Sequence, residues 1–349
     1  MFNERKTSYR LFSIESALIW KRLLSGLLLF ARYGTLSKLL NLILVEGERK
    51  LRRPIIKGRP YFLKIDTTNI CNAGCVYCLE KNPDYPAGKM SFIDFRRVID
   101  INKDYTCLAA LHFSGDPLLN EHIYDMIHYA HINRVATYLS TSLQDLKKED
   151  AQKLIRSGLD LLTVSIDGAT SLTYKRYRKK GDLDIVLDNV KVLVAAKKNL
   201  KRRWPIITIQ FMVMEHNEHE IPLIKKIASD LGVDNLEFKP IGIGDRTKHL
   251  LPGNPGLIRR IYRDPAVKRQ PCWWLWASFI VLWNGDVIPC CFYRTAKPSG
   301  NLLEKDIQEL KNSSIHQDLR KTVCMDVSQG VGHCVNCTIP YGNFINQTL

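Results

Sequence analysis

The chain has 349 residues, of which 45% are hydrophobic and 25% are charged, and its formal net charge is +16. This hydrophobic content supports a packed core, so the composition excludes an intrinsically disordered protein. There are 10 cysteines, too many for inert packing, and most of them follow residue 270. No secretory signal opens the chain, so we expect a cytoplasmic protein with reduced thiols. In such a protein, clustered cysteines indicate metal ligands rather than disulfides.

The N-terminal segment, predicted as residues 1–58, is basic, helical and amphipathic. Its Leu-rich stretch at Leu11–Phe30 is interrupted by charged residues, and a spanning helix needs about 20 mostly apolar residues. A Leu-rich helix flanked by Lys and Arg is typical of a segment that lies on an anionic membrane surface. We therefore expect residues 1–35 to make peripheral contact with the inner face of the membrane. A helix packed on its own protein and a helix that contacts RNA are the alternatives.

After Pro60, strand-like and helix-like segments alternate. This alternation predicts an α/β fold built from βαβ units with a parallel sheet. Six units favour a partial (β/α)6 TIM-like barrel at 59–265, although periodicity alone does not exclude a doubly wound sheet. A small cysteine-rich domain at 266–349 follows. The predicted strands are Tyr61–Thr67, Cys107–Ser114, Val135–Thr141, Leu161–Asp167, Ile206–Met214 and Asn235–Lys239, and the predicted helices are Ser91–Asn102, Glu121–Ile132, Lys147–Ser157, Leu183–Lys198, Glu218–Leu231 and Leu302–Lys311.

Three cysteines, Cys71, Cys75 and Cys78, follow the first predicted strand within eight residues. Loops at the carboxyl ends of barrel strands carry the chemistry of barrel enzymes. Three thiolates on a centre that prefers four ligands leave one position open for a substrate or cofactor. A zinc site with three cysteines and a histidine is the alternative, for which the nearest histidine is His112.

The C-x3-C-x2-C spacing, with Tyr77 before the last cysteine, resembles the signature of the radical S-adenosylmethionine (radical SAM) superfamily. The resemblance covers about residues 60–349. It implies a [4Fe–4S] cluster held by the three cysteines, SAM bound at the fourth iron, and reductive formation of a 5′-deoxyadenosyl radical. It also implies an electron donor such as flavodoxin or ferredoxin. The cofactor carries the difficult chemistry, and the protein orients it.

Several strand ends also resemble the SAM-binding segments of that superfamily. The second strand ends in a segment that resembles Gly-Gly-Glu-Pro, although Gly-Asp-Pro is also an ordinary turn. The fourth strand ends in Ser-Ile-Asp-Gly, for which an ordinary turn is the alternative. A later basic run contains an arginine that resembles the one near the SAM carboxylate in that superfamily, and a solvated charged face is the alternative there. The candidate SAM contacts are Tyr77, Ser114, Gly115, Asp116, Pro117, Ser140, Ser165, Asp167 and Arg178, with Gln210, Met212 and Asn217 as less specific matches.

A second cysteine group lies near the C-terminus. Asn284-Gly285 predicts a hairpin that returns Cys290 towards Cys272. Together with the late pair Cys334 and Cys337, these residues resemble the SPASM/twitch extension of radical SAM enzymes, in its form with one auxiliary [4Fe–4S] cluster. A structural zinc ion is the alternative, because four thiolates suit zinc as well. The remaining thiols are interpreted as packing residues: Cys107 in a buried strand, with Cys291 and Cys324 as reserve ligands.

The resemblance therefore implies two [4Fe–4S] clusters and SAM as cofactors. We expect the two cysteine groups to face each other across the barrel mouth, with the substrate between them. The predicted function is oxidation of a sugar, alcohol or lipid-linked small-molecule substrate through hydrogen-atom abstraction. A peptide-maturing enzyme is one alternative, although the helical N-terminal segment differs from the strand-rich peptide-recognition domain that such enzymes often carry. A non-catalytic, metal-stabilised RNA-binding protein is the other, and a nucleic-acid partner is not expected.

Overall fold

A single eight-stranded sheet organises the protein, with the strand order β6-β5-β4-β3-β2-β1-β7-β8. The computed structural model describes residues 26–78, 85–240, 250, 253, 271–291 and 297–324. All neighbouring strands are parallel except β7 and β8, which form an antiparallel pair. The strands are β1 (Phe62–Ile65), β2 (Leu108–Ala110), β3 (Ala136–Thr141), β4 (Leu161–Ser165), β5 (Ile206–Val213), β6 (Asn235–Pro240), β7 (Ser278–Val281) and β8 (Val287–Ile288).

The helices connect the strands in the order expected for βαβ units. Residues 26–33 are also helical. The helices are α1 (Leu36–Lys50), α2 (Phe92–Asn102), α3 (Ile123–Ile132), α4 (Ala151–Arg156), α5 (Ser171–Tyr177), α6 (Leu183–Asn199), α7 (Ile221–Leu231), α8 (Trp273–Ala277), α9 (Ile307–Lys311) and α10 (Ser314–Cys324), with 3₁₀ turns at Pro117–Leu119, Lys148–Asp150 and Glu218–Glu220.

The main core lies between the outer face of the sheet and the helices. Alternate strand residues such as Leu63, Leu139 and Val164 are fully buried there against helix residues such as Phe95 and Val190. Side chains alternate between the two faces of a strand, so the intervening residues face the opposite side, the lumen of the partial barrel. The register of the sheet thus decides which residues reach the lumen.

The predicted α/β fold with a parallel sheet is confirmed, and each of the six predicted strands is present, five of them shorter than predicted and β6 one residue longer. A seventh parallel strand, β7, comes from the segment predicted as the separate domain 266–349. It pairs with β1 in the register Phe62↔Ser278 to Ile65↔Val281. The hydrogen-bonded sheet therefore continues across the boundary that the sequence predicts at residue 265.

Two local predictions are wrong, and some helices were not predicted. The helix predicted from Leu302 begins at Ile307, because Asp306 caps it through its side chain and the Gln308 N–H. Helices α5 and α10 are not predicted, since short amphipathic segments give a weak periodic signal. Cys107 is half-buried rather than buried within a strand; it precedes β2 and lines a cavity of about 260 Å³.

The described cysteines of the two groups do not lie at the same mouth of the barrel. Cys71 follows β1, whereas Cys272 precedes β7, which runs parallel to β1. The hairpin predicted at Gly285 is present, and the antiparallel β8 returns Cys290 to the same end as Cys272. Strand polarity therefore puts Cys71 and the described pair Cys272 and Cys290 at opposite ends of the sheet.

Candidate functional site

The loop after β1 carries Cys71, Cys75 and Cys78. Hydrogen bonds between side chains at its start and the backbone of Gly88 hold it in place. The side chain of Asn69 accepts a hydrogen bond from Gly88 N–H (2.8 Å), and the hydroxyl of Thr68 donates to Gly88 O (2.9 Å). A loop tied to its neighbour in this way presents its side chains in one arrangement. None of the three cysteines forms a disulfide, and all three are half-buried.

Gly115 lets the loop after β2 lie against the cysteine loop. A Cβ atom at this position would lie 2.3 Å from Thr68 O and 2.5 Å from Ile70 O, closer than real Cβ contacts allow. The next residue, Asp116, donates its N–H to Ile70 O at 2.9 Å. Glycine is therefore required here by close backbone approach, which is one of its characteristic uses.

The side chain of Asp116 joins the ends of β2 and β3. Its buried carboxylate accepts hydrogen bonds from the hydroxyls of Thr141 (2.7 Å) and Ser142 (2.6 Å) and from Ser142 N–H (2.8 Å). It also caps the 3₁₀ turn that starts at Pro117. In this structure Asp116 thus organises the strand ends, and Pro117 begins the turn that follows them.

Asp66 follows β1 and holds Ser114, which follows β2. The sequence motifs do not single out Asp66. Its carboxylate accepts from Ser114 N–H (3.0 Å) and from the Ser114 hydroxyl (2.5 Å). The available signal was its position, because a polar inward-facing residue directly before a functional loop is uncommon in a buried strand. Asp66 is fully buried.

Arg178 and Asp167 form a buried ion pair beside the cysteine loop. Arg178 Nη2 lies 2.6 Å and Nε 2.8 Å from Asp167 Oδ2. The backbone of Arg178 forms an antiparallel bridge with Cys75, and Val76 N–H donates to Tyr177 O at 3.0 Å. The pair therefore joins the end of β4 to the cysteine loop.

The thiols of the loop are poorly solvated. Burial raises the pKa of Cys75 to about 11, while the nearby Arg178 guanidinium opposes this shift. Burial also raises the pKa of Cys71. Because metal ligation requires thiolates, binding of a metal centre here would release protons, and the cationic Arg178 favours the ionised form.

The remaining candidate SAM residues lie around the lumen, on or next to the strands. Ser140 on β3 is half-buried and Ser165 on β4 is buried; the register of the sheet places Ser165 opposite Gln210 on β5. Met212 N–H donates to Asp167 Oδ1 (3.1 Å), and the Asn217 amide donates to Asp167 O (3.0 Å).

Tyr77 packs near Tyr177, Met212 and Met214. Its backbone carbonyl accepts a long hydrogen bond of 3.5 Å from the Tyr177 hydroxyl. The aromatic residue of the signature therefore lies against the same segment that pairs with Cys75.

The second cysteine group is described only in part. Cys272 is buried at the start of α8, and Cys290 is half-buried after β8. Cys291 is half-buried and packs against a small apolar cluster that includes Phe113 and Ile280. The predicted ligands Cys334 and Cys337 lie outside the described residues, as does the side chain of Cys324.

No group of three or more Cys, His, Asp or Glu side chains in the described part of the chain is close enough to hold a single metal ion. A four-iron cluster separates its thiolate ligands more widely than one ion does, and each thiolate binds a different iron. Three reduced thiols on one anchored loop fit that donor set.

Two family models match the chain. One, described as the Radical SAM superfamily, matches residues 65–227, and the other, described as an iron–sulfur cluster-binding domain (SPASM), matches residues 272–338. A tungsten-containing aldehyde ferredoxin oxidoreductase cofactor-modifying protein of Pyrococcus furiosus is 22% identical over 214 residues, 60% of this chain and 57% of that protein. A probable GTP 3′,8-cyclase of Methanocaldococcus jannaschii is 25% identical over 182 residues, 51% of this chain and 59% of that protein.

The chain thus spans less than two thirds of the length of these curated relatives. Among solved structures, Streptococcus suis SuiB bound to precursor peptide SuiA matches with a TM-score of 0.60 and 14% identity, covering 87% of this chain and 74% of that one. This likeness concerns the fold. The two family matches follow each other in the order expected from the two cysteine groups, and the chain belongs to the radical SAM superfamily and carries a C-terminal SPASM domain.

Proposed function

We propose that the protein reductively cleaves SAM with a [4Fe–4S] cluster held by Cys71, Cys75 and Cys78, and abstracts a hydrogen atom from its substrate. The anchored three-thiol loop is the observation that carries this proposal. When bound, the cluster and SAM together supply a 5′-deoxyadenosyl radical. The protein's own residues bind and orient SAM: the Gly115 backbone keeps the loop in place, and Asp66 and Asp116 fix the strand ends on which the SAM-binding segments lie.

We further propose that Cys272, Cys290, Cys334 and Cys337 hold one auxiliary [4Fe–4S] cluster. Cys272 and Cys290 support this by their common position at one end of the β7–β8 hairpin. The lumen then lies between the two centres, so a substrate bound there can exchange an electron with the auxiliary centre. This arrangement favours a two-electron oxidation, with a reductant of the flavodoxin or ferredoxin class serving the first cluster.

Helix α1 supports action at a membrane surface, because its apolar side faces outwards. Leu36, Leu40 and Ile43, at helical spacing, are 70%, 57% and 59% exposed. The buried side of the helix is mostly polar, with Val45 as its apolar member: Asn41 exchanges two 2.9 Å hydrogen bonds with the Arg59 backbone, and Glu48 accepts from backbone N–H groups. Such a polarity is the reverse of that of an ordinary surface helix.

Exposed basic residues at Lys50, Arg52 and Arg53 follow this apolar side. Each Lys or Arg near an anionic bilayer contributes about 1 kcal/mol, and burying a leucine contributes about 1.5–3 kcal/mol when complete. We therefore propose that α1, with residues 1–35, rests on the inner face of the membrane and that the substrate is lipid-linked. No helix within the described residues has the length and apolarity needed to cross a bilayer.

A peptide substrate is the second candidate, favoured by the likeness in fold to SuiB, whose structure was determined with a precursor peptide. In the described part of the segment before β1, residues 26–33 and α1 are helical and no strand is present. A strand-rich peptide-recognition domain is therefore not found in those residues.

Anaerobic reconstitution tests the first proposal. With dithionite and SAM, the wild type should form 5′-deoxyadenosine, and the variant with Ala at Cys71, Cys75 and Cys78 should form none. Retained 5′-deoxyadenosine formation by that variant would disprove the cluster assignment. The same variant should keep about four of about eight irons if the auxiliary cluster is present. Zinc instead of iron in its C-terminal site would exclude the electron-accepting role.

Liposome flotation tests the membrane proposal. Gln at Leu36, Leu40 and Ile43 should abolish flotation with anionic vesicles, and salt should weaken the flotation of the wild type. The matched control has Gln at Ile93 and Leu172, which are 71% and 80% exposed elsewhere. Equal flotation of both variants would contradict a specific α1 surface. Failure of the wild type to float would indicate that another part of the chain or a protein partner covers α1.

A further inference from the structure

The lumen of the barrel is open at several inward-facing positions. Lys64 on β1, His112 after β2, Tyr138 on β3 and Gln210 on β5 are only half-buried, although their strands are central. Their outward-facing neighbours, such as Leu63, are fully buried. Solvent or a ligand can therefore reach these four side chains from within the barrel.

Lys64 is held in the lumen by aromatic rings. Its Nζ lies 4.9 Å from the centroid of the Phe113 ring and 5.8 Å from that of Trp274. It forms no ion pair with a carboxylate of the described residues. Such cation–π contacts compensate only part of the cost of removing an ammonium group from water. Other charged groups nearby are better matched: Asp167 pairs with Arg178 at 2.6 Å.

His112 presents a second polar side chain to the lumen. Its Nδ1 accepts from Ser140 N–H at 3.1 Å, which leaves the ring proton on Nε2. Burial and the positive charges of Lys64 and Lys239 hold the pKa of His112 well below its usual range, although the Tyr138 backbone carbonyl opposes them. The imidazole is therefore neutral at physiological pH and adds a polar group to this part of the lumen.

Tyr138 fixes the wall beside the imidazole. Its ring meets that of His112 edge to face with centroids 4.7 Å apart, and its hydroxyl donates to Thr163 Oγ1 at 3.1 Å. Glu237 lies near the Tyr138 hydroxyl and is itself 3.8 Å from Lys239. Glu237 is thus paired with Lys239, whereas Lys64 forms no ion pair with the described residues and can offer its charge to an incoming ligand.

We propose that Lys64, with His112 beside it, binds an anionic group of the substrate, a carboxylate or a phosphate, in the lumen between the two cysteine groups. The inference deepens the proposed function, because it names the chemistry by which that function recognises its substrate. Lys64 lies on β1 two residues before Asp66, below the residues that hold the SAM-binding segments. An anion bound there places the rest of the substrate towards SAM.

Calorimetric titration of acetate and of inorganic phosphate into reconstituted, SAM-saturated enzyme tests this proposal. Saturation with SAM keeps its own carboxylate from competing. One anion should bind saturably to the wild type, and Lys64→Met should weaken its binding at least tenfold. A preference for acetate indicates a carboxylate substrate, and a preference for phosphate indicates a phosphorylated or phospholipid-linked one. Absence of saturable binding to the wild type overturns the proposal.

Two further variants keep the test decisive. Lys153→Met is the matched control, because Lys153 Nζ lies 4.9 Å from the Tyr124 ring centroid on the exposed side of α4; its anion affinity should equal that of the wild type. Lys64→Arg keeps the charge and should bind more tightly than Lys64→Met. Equal weakening by both Lys64 variants overturns the proposal, since charge would then not decide binding. Failure to form 5′-deoxyadenosine, by contrast, refutes the proposed function and leaves these binding heats unaffected.

Discussion

Substitution of Gly115 by Ala tests whether close packing between two loops fixes the cysteine loop. The new Cβ would lie 2.3 Å from Thr68 O and 2.5 Å from Ile70 O, and both atoms belong to backbone. Ordinary contacts of a Cβ begin above about 3 Å, so the loop that leads to Cys71 must move by several tenths of an ångström. The movement also weakens the 2.9 Å hydrogen bond from Asp116 N–H to Ile70 O.

Overpacking of this kind costs about 1–3 kcal/mol. A loss of 1 kcal/mol lowers Tm by roughly 2–4 °C in domains of about 150–250 residues. We therefore expect G115A to melt several degrees below the wild type. It should also lose 5′-deoxyadenosine formation more than tenfold, because a misplaced Cys71 and SAM segment impair alignment of the reacting groups.

Thermal melting, iron content and 5′-deoxyadenosine formation should be measured together for G115A and for G47A. Gly47 lies in α1, where a Cβ would meet nothing within 4 Å. G47A should therefore keep full activity and gain up to about 1 kcal/mol in helix propensity. If G115A equals G47A in Tm, iron content and activity, the loop is not held by contact at Gly115 and the reasoning is refuted.

Two further predictions concern buried charges. Arg178→Met removes one partner of the 2.6 Å pair with Asp167, and chemical denaturation should show a free energy of unfolding lower by about 3–5 kcal/mol. As the control, Arg176→Met at an exposed position should change that free energy by less than about 0.5 kcal/mol. Equal effects of the two substitutions would contradict a buried pair. Burial raises the pKa of Asp160 from 3.8 to about 6, so the folded protein holds this proton more tightly than the unfolded chain. Stability relative to Asp160→Asn should therefore fall, by up to about 3 kcal/mol, as pH rises from about 4 to about 6. A constant difference between urea unfolding curves of the two proteins over that range would show that the pKa is not raised.

The sequence predicts the barrel strands well because their apolar runs are bounded by turn residues and separated by amphipathic helices. It predicts that Cys71, Cys75 and Cys78 share one loop because they follow β1 within eight residues. Strand β7 is different: its residues Ser278–Val281 are all buried, and a short apolar run carries no period that reveals its partner. Pairing with β1 depends on contacts distant in sequence, which a local pattern does not contain.

The partners of individual side chains cannot be predicted from the sequence, for a similar reason. The resemblance to radical SAM enzymes implies that Asp167 and Arg178 lie near SAM, but only the folded structure shows that they lie 2.6 Å from each other. The role of Asp66 is not evident from the sequence, because it depends on Ser114, which lies at the end of the neighbouring strand. The position of Lys64 among aromatic rings is not evident from the sequence either, since its neighbour Trp274 comes from the C-terminal segment.

The pairing of β1 with β7 links the two cysteine groups mechanically. Strand β1 leads directly into the loop of Cys71, and β7 follows directly from the segment of Cys272. Four register pairs join the two strands, and Asp66 N–H adds a 2.8 Å hydrogen bond to Val281 O. A parallel strand rises about 3.3 Å per residue, so the four paired residues span about 10 Å along the sheet between their first and last Cα atoms. Because the lumen residue Lys64 lies within the same stretch, a ligand bound to it would keep a constant position relative to both groups, without any domain closure.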